Sequence, residues 1–486
     1  MLVAWLMAFA VVAVVLAALA HWQVSQELDR HARQRIAAST QGLPIARWPL
    51  TNAHDIIAGR VFGDAETRFD DAGLHITSAG EAVEIGLPLD GPLDLARYGL
   101  ASIGVNASAQ THFQWSVYFP SSNAPCRSDF LTIADSRIAS RLDQLDWRCS
   151  LPTRPAVDSL RLVVDAPRGE NVTLYDFALK PVMALQRPEA DSIPIVSSRA
   201  DLPIAKERLN AMHESIQPIV VVAGGWRDAA TMQLRSDLRL AVPAVIAVSD
   251  ATIASAAEGK SLATFKFTWL LLALLLFVWA RPPKSPRLRI VVQVGAALLM
   301  PLWLSIGLRM GTTLSVVDTV FVAAGVLYIA TLLLQRGQSW QWIGKPSAWL
   351  IPAASVLLTI ALALALSRDG GPTLPDSISA FRYFAWAALQ QLIVLRIVAD
   401  RISGLSWSPA WVSLAAATAF ALLHAPNQSL MLLTLIGGLF WTWNWQHHRA
   451  LLPNVVAHAL CGLIASAAID RSWLWSAEIG SRFFAG

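Results

Sequence analysis

Two histidines stand inside long apolar runs near the C-terminus: His424 in Ala419-Phe-Ala-Leu-Leu-His-Ala-Pro-Asn427 and His458 in Leu452-Pro-Asn-Val-Val-Ala-His-Ala-Leu-Cys-Gly462. A third polar group, Gln390, Gln391 and Arg396, interrupts the apolar run 378–399. Ionisable side chains within membrane-length apolar segments are expensive, so each asks for a reason. Two imidazoles and an amide pair could orient a water and stabilise a developing oxyanion, which are the parts of a hydrolytic site. An amide has no accessible conjugate base, so Gln390 or Gln391 can position the water but cannot take its proton. The proton would go to His424 or His458, whose unperturbed pKa of about 6.5 suits that transfer.

Each group also has a structural reading. A transmembrane histidine can simply hydrogen-bond one helix to the next. Arg396 precedes Asp400 by four residues, the spacing of a helix-surface ion pair, and snorkelling explains it equally well. Asp318 lies toward the outer end of its segment and can reach the headgroups, while His447-His448-Arg449 suits lipid headgroups better than a metal. No helix offers the paired histidines and acid of H-E-x-x-H zinc chemistry, so neither a metal nor a cofactor is expected.

The three polar groups, in this order, resemble the CAAX-protease and bacteriocin-processing family, intramembrane endopeptidases related to type II CAAX prenyl endopeptidases. That family carries E-E-x-x-x-R on one helix, F-x-x-x-H on the next, and H-x-x-x-N or H-x-x-x-D two helices later. Phe420 and His424 meet the second motif, and His458, in Val455-Val-Ala-His-Ala-Leu, stands where the third begins. Ala425-Pro-Asn427 and Gly437-Gly438 also look like the family, and the resemblance covers about residues 375–470. Three departures stand out. Gln390 and Gln391 replace the two glutamates, Arg396 comes one residue late, and Gly462 replaces the Asn or Asp. The only glutamate after residue 258 is Glu478, in the tail. The resemblance implies cleavage of a membrane-associated peptide or protein by His424, His458 and a water on Gln391, with Gln390 and Arg396 completing the set. Loss of the glutamates implies, alternatively, a proteolytically inactive scaffold or receptor.

The elements that must hold these residues are apolar helices. Of the 486 residues, 55% are hydrophobic and 15% charged, against about 25% charged in an ordinary soluble domain. Segments 1–20, 267–280, 290–308, 313–335, 348–366, 378–399, 408–425, 428–445 and 452–469 predict about nine transmembrane helices. Residues 266–486 hold 15 Lys/Arg and six acids, whereas the rest hold 23 and 28, the asymmetry of a water-exposed domain joined to a membrane domain. The excess bases flank apolar runs, so a lipid bilayer is the implied partner and nucleic acid is not. Arg281, Lys284, Arg287 and Arg289 predict a cytoplasmic loop; alternation then places Arg336, Lys345, Arg401 and Arg449 inside, and Asp369 and Asp376 outside. This puts residues 21–265 on the outer face of an inner (cytoplasmic) membrane. Arg30, Arg33 and Arg35 oppose that orientation. Trp22, and the absence of a basic stretch before the first segment, favour an uncleaved anchor over a signal peptide.

Between these segments, Phe113, Trp115, Val117 and Phe119 alternate with His112, Gln114, Ser116 and Tyr118, and Leu160, Leu162 and Val164 alternate similarly, as strands with one face in a core do. Short strands between turn clusters predict an exported, mainly β, sandwich or jelly-roll-like domain. The ending Val172-Thr-Leu-Tyr-Asp-Phe-Ala-Leu-Lys-Pro181 resembles the last strand of galactose-binding-type jelly rolls, which implies a glycan partner; a plain structural sandwich fits as well. Outside the membrane, Cys126 and Cys149 can form a disulfide or remain buried thiols, while Cys461 is alone in the last segment. Ile219 to Val222 predicts a buried strand, Ile204 to Ile216 a helix, and Gly224-Gly225 a turn rather than a phosphate loop. The divisions are an anchor (1–20), the β domain (21–181), a mixed α/β or linker region (182–265), transmembrane helices (266–370), a protease-like core (371–470) and a tail (471–486).

Overall fold

The computed structural model describes residues 2–89, 91–119, 124–150, 156–223, 225, 227–250, 264–307, 315–335, 339–368, 371–372 and 375–484. Gly224, Arg336 and Asp369, and parts of the apolar segments 290–308 and 313–335, lie outside those residues. The chain forms two compact units, one of residues 27–223 and 234–259, the other of residues 1–26, 224–233 and 260–486.

The first unit is mainly β. Strands β1 (Ala46–Trp48), β2 (Ala65–Asp70), β3 (Gly73–Ser78), β4 (Val83–Leu87), β5 (Leu100–Asn106), β6 (His112–Tyr118), β7 (Cys126–Arg127), β8 (Arg137–Arg141), β9 (Ser159–Asp165) and β10 (Asn171–Lys180) make two antiparallel sheets. One runs β2-β3-β10-β5-β8 with β1 beside β10, the other β4-β9-β6-β7. In register, Leu162 faces Trp115 and Leu174 faces Val105, and side chains of both sheets join one apolar cluster around Trp115, Phe113 and Phe177. The other face of β6 is buried too, because Gln114 Nε2 donates to the Ser128 carbonyl at 2.9 Å and Ser128 Oγ accepts from Trp115 N. Strand β10 changes register between Tyr175 and Ala178, where Asp176 adopts φ 51° and pairs with Arg47 and Arg137; an extra residue in one strand is a β-bulge. Cys126 and Cys149 are joined by a disulfide with Cα atoms 5.8 Å apart.

Beyond β10, strands β11 (Ile195–Val196), β12 (Ile219–Val222) and β13 (Ile246–Val248) pair in parallel. Helices α2 (Leu202–Ala211) and α3 (Asp228–Ala241) supply the crossovers that parallel strands require. Val196, Leu209, Val220 and Leu238 form their core.

The N-terminal helix α1 spans Leu2–Thr40, twice the apolar run that announces it. Leu16, Ala20, Val24, Leu28, Ala32 and Ile36 are all buried at intervals of four, so one helix face continues after the hydropathy ends. Leu16 and Ala20 pack on Ala417, Ala421, Met431 and Leu435 of the helical unit. Arg30, Arg33 and Arg35 are helical residues.

The helical unit continues with α4 (Thr264–Ala280), α5 (Pro286–Leu302), α6 (Val316–Leu334), α7 (Leu350–Ala365), α8 (Ser377–Gln391), α9 (Pro409–Leu422), α10 (Gln428–His448) and α11 (Leu452–Ala468). Five described helices are long and apolar enough to cross a membrane: Leu2–Thr40, Pro286–Gly307, Val316–Leu334, Pro346–Ala365 and Ser377–Ser403. The expected count of nine is therefore not confirmed. Phe267–Ala280, Pro409–Leu422 and Leu452–Ala468 are apolar but shorter; at 1.5 Å per residue they fall short of a core of roughly 30 Å. A helical C-terminal part with several apolar helices and a mainly β N-terminal region together describe a membrane protein.

Candidate active site

Helix α8 starts at Asp376, whose Oδ1 accepts from Ile378 N and Ser379 N at 3.0 and 2.9 Å. It ends on Gln390 and Gln391, both buried, and passes without a break into a π-helical stretch, Leu392–Ala399. A π turn closes i→i+5 hydrogen bonds and so holds one residue more than an α turn. Arg396 lies within that stretch.

Gln391 Nε2 lies 3.3 Å from His458 Nδ1 on α11. In that orientation its Oε1 is buried without a hydrogen-bond partner. The His458 ring is boxed by Trp441 at 4.9 Å, by Phe420 edge-on at 5.2 Å and by Tyr383 edge-on at 6.2 Å between ring centroids. His424 follows the end of α9 and turns back on it: Nδ1–H donates to the Phe420 carbonyl at 2.9 Å, and the ring meets Phe420 edge-on at 4.8 Å. Because a carbonyl only accepts, the neutral His424 ring keeps its lone pair on Nε2. Both imidazoles thus pack on one phenylalanine, although counting residues along straight helices places His424 toward the outer end of its helix and His458 nearer the inner end of its own.

Trp441 is held by its Nε1–H on Ser355 Oγ at 3.1 Å. Gly438 lets α9 and α10 approach closely, since a Cβ there would stand 3.0 Å from Ala417 Cα. At Gly462 a Cβ would stand 1.8 Å from Tyr383 Oη. The phenol of α8 occupies the space a side chain at 462 would need, and only the glycine announced this in the sequence.

Arg396 is not with the imidazoles. Its Nη1 donates to Asp400 Oδ2 at 2.7 Å, and Asp400 Oδ1 accepts from Trp445 Nε1 at 2.7 Å and from Arg449. Asn427 is a structural residue: Oδ1 caps α10 at Leu430 N, and Nδ2 donates to the Ser476 and Glu478 carbonyls. Ser315 caps α6, its Oγ accepting from Asp318 N, and the Asp318 carboxylate accepts from Ser315 N and from Thr268 Oγ1 at 2.9 Å. Among the described residues no group of three His, Cys, Asp or Glu could hold a metal.

One acid was not foreseen for this unit. Asp228, at the start of α3, is buried, with Oδ1 2.9 Å from His21 Nδ1 and Oδ2 unpartnered. Its N–H donates to Gln428 Oε1 at 3.3 Å, and Gln428 Nε2 donates to the Ala17 carbonyl at 3.4 Å. Burial lifts its pKa to about 6, against the lowering influence of His21.

Residues 378–464 match the family of type II CAAX prenyl endopeptidases described as Rce1-like. The Rce1-like segment opens in α8 and closes in α11, so it contains Tyr383, both glutamines, both histidines and Gly462. Members of that family are intramembrane proteases. No curated protein matches the chain. Among solved structures, the low-affinity xylan binding module CBM86 from Roseburia intestinalis is 14% identical, covering 27% of this chain and 92% of its own, with a TM-score of 0.20. A likeness that small carries no argument.

Proposed function

We propose that the Rce1-like bundle is an intramembrane endopeptidase that cleaves a membrane-associated peptide or protein, with Gln391 positioning the attacking water between His424 and His458. The contact between Gln391 and His458, with the Gln391 Oε1 left over, is the observation that carries this reading. A buried acceptor without a partner costs about 1–3 kcal/mol, and a water donating to it removes that cost. The water's second proton passes to His424 Nε2 as its oxygen bonds to the scissile carbonyl carbon; His424 then returns the proton to the leaving amine as the C–N bond breaks. His458 hydrogen-bonds the developing oxyanion. Gln390, buried one residue before Gln391, completes the set, and Arg396 acts at a distance by fixing the end of the helix. The charge pattern supports an inner-membrane protein with residues 21–265 outside.

Purified protein and a panel of membrane-inserted and prenylated peptides provide the test. Cleavage should fall at least about 100-fold in both His424→Ala and His458→Ala, the scale of a lost general base. Unchanged cleavage in either variant removes this assignment. The second reading, an inactive scaffold whose β region binds glycan or envelope peptide, is favoured by the absence of any described carboxylate hydrogen-bonded to Gln391 or the imidazoles. It predicts no cleavage in the native chain, and cleavage gained in Gln391→Glu.

A further inference from the structure

Tyr383, Ala387 and Gln391 stand at intervals of four on α8 and so form one stripe along the helix. Two of them meet the same imidazole: Gln391 Nε2 lies 3.3 Å from His458 Nδ1, and the ring also hydrogen-bonds the Ala387 backbone. Tyr383, one turn before Ala387 on the stripe, faces His458 edge-on and carries its hydroxyl to Gly462, the residue one turn beyond His458 on α11. Its Oη stands 1.8 Å from the point a Cβ at 462 would take, and Gly462 offers no side chain to accept the hydroxyl proton. The face of α11 that holds His458 therefore receives a polar group from α8 where its own residue has none.

An oxyanion is stabilised by hydrogen-bond donors fixed before it forms, and one donor leaves most of its charge unmet. His458 supplies at most a shared one. Gln391 donates to Nδ1, so the ring's single N–H is on Nε2 and is the group that meets the Ala387 carbonyl. A phenol keeps its proton at neutral pH and can donate it. Tyr383 is half-buried, whereas Gln391 and His458 are buried, so the phenol is within reach of an entering peptide. We infer that Tyr383 is a catalytic residue, its hydroxyl donating to the oxygen of the scissile carbonyl beside His458 as that oxygen becomes an oxyanion. This rests on the peptidase reading above. The phenol stays protonated and forms no covalent bond, since the proton of the water travels to the leaving amine by way of His424. The competing explanation is packing alone, with the ring a knob in the hollow at Gly462.

Tyr383→Phe separates the two, because it keeps the ring and removes the donor. In the full chain in detergent, with a membrane peptide that the native chain cleaves, it should lower kcat about 100-fold and leave KM within about threefold. Its melting temperature should match that of the native chain. Two double variants ask whether a donor brought from α11 replaces the phenol: Tyr383→Ala with Gly462→Asn should cleave at least about tenfold faster than Tyr383→Ala with Gly462→Ala. Cleavage by Tyr383→Phe within about threefold of native, when His424→Ala has lost it, overturns this inference and leaves the peptidase reading standing. A loss carried by KM alone overturns it too, since an oxyanion donor acts on kcat. If Tyr383→Phe melts lower than the native chain, the double variants decide, and equal cleavage by them overturns the inference. Absence of cleavage by the native chain removes the peptidase reading and this inference with it.

Discussion

At the scale of single residues, Gly462 is the most informative position. Read in sequence it is a missing polar ligand; in the fold it is the only residue type compatible with Tyr383 Oη at that point. Gly462→Asn should force the phenol out and destabilise the chain by roughly 1–3 kcal/mol, seen as a lower melting temperature in detergent. Tyr383→Ala in the same chain should restore part of the loss, and failure to do so would mean the two positions are not in contact. Asp228 makes a prediction of opposite character. Because burial raises its pKa, the folded chain holds that proton more tightly than the unfolded chain does. The stability this provides is complete below the unfolded pKa of about 4 and is lost as pH rises through about 6, roughly 3 kcal/mol in all. Asp228→Asn should therefore flatten the melting profile between those values and melt higher at pH 7. An unaltered slope would assign that pH dependence elsewhere.

Among elements, the π-helical stretch after Gln391 carries Arg396 into a partly buried ion pair with Asp400. Deleting Leu392, which is only partly buried, should let the stretch close as ordinary α-helix. The shortened chain should keep most of its thermal stability, whereas deleting one residue from the middle of α9 should not, since that helix has no surplus residue to give up. Hydropathy made the apolar helices legible, and alternation made β6 and β9 legible, because burial acts on those periodicities directly. The second half of α1 was hidden because its buried face is a stripe of single residues among charges, too dilute for a hydropathy window. The packing of His424 and His458 on one phenylalanine was hidden for another reason. Depth counted along straight helices ignores an imidazole that folds back on its own last turn and a phenylalanine that spans the rest. Tyr383, Trp441 and Asp228 had no signal by spacing, since each reaches its partner from a different element.

For the whole molecule, the uneven charge already visible in the sequence corresponds to two units with different stabilising devices. The mainly β unit carries the disulfide Cys126–Cys149, which closes a loop across a separation of 23 residues. By loop entropy its loss should cost about 3 kcal/mol, so a Cys126→Ser, Cys149→Ser chain should melt lower in the absence of reductant while the peptide cleavage proposed for the helical site persists. The helical unit relies instead on close helix contact and a few internal polar pairs. One such pair bears on how the protein is made. Ser377–Ser403 is the least apolar of the five long helices, and acidic side chains at mid-membrane oppose insertion by on the order of 3 kcal/mol each. With amides at 390 and 391, the segment can leave the translocation machinery and enter lipid alone. It need not wait for His458, which the ribosome adds 67 residues later. Neutral amides at 390 and 391 should thus let this helix insert independently of completion of the site, with assembly a docking of helices already in the bilayer.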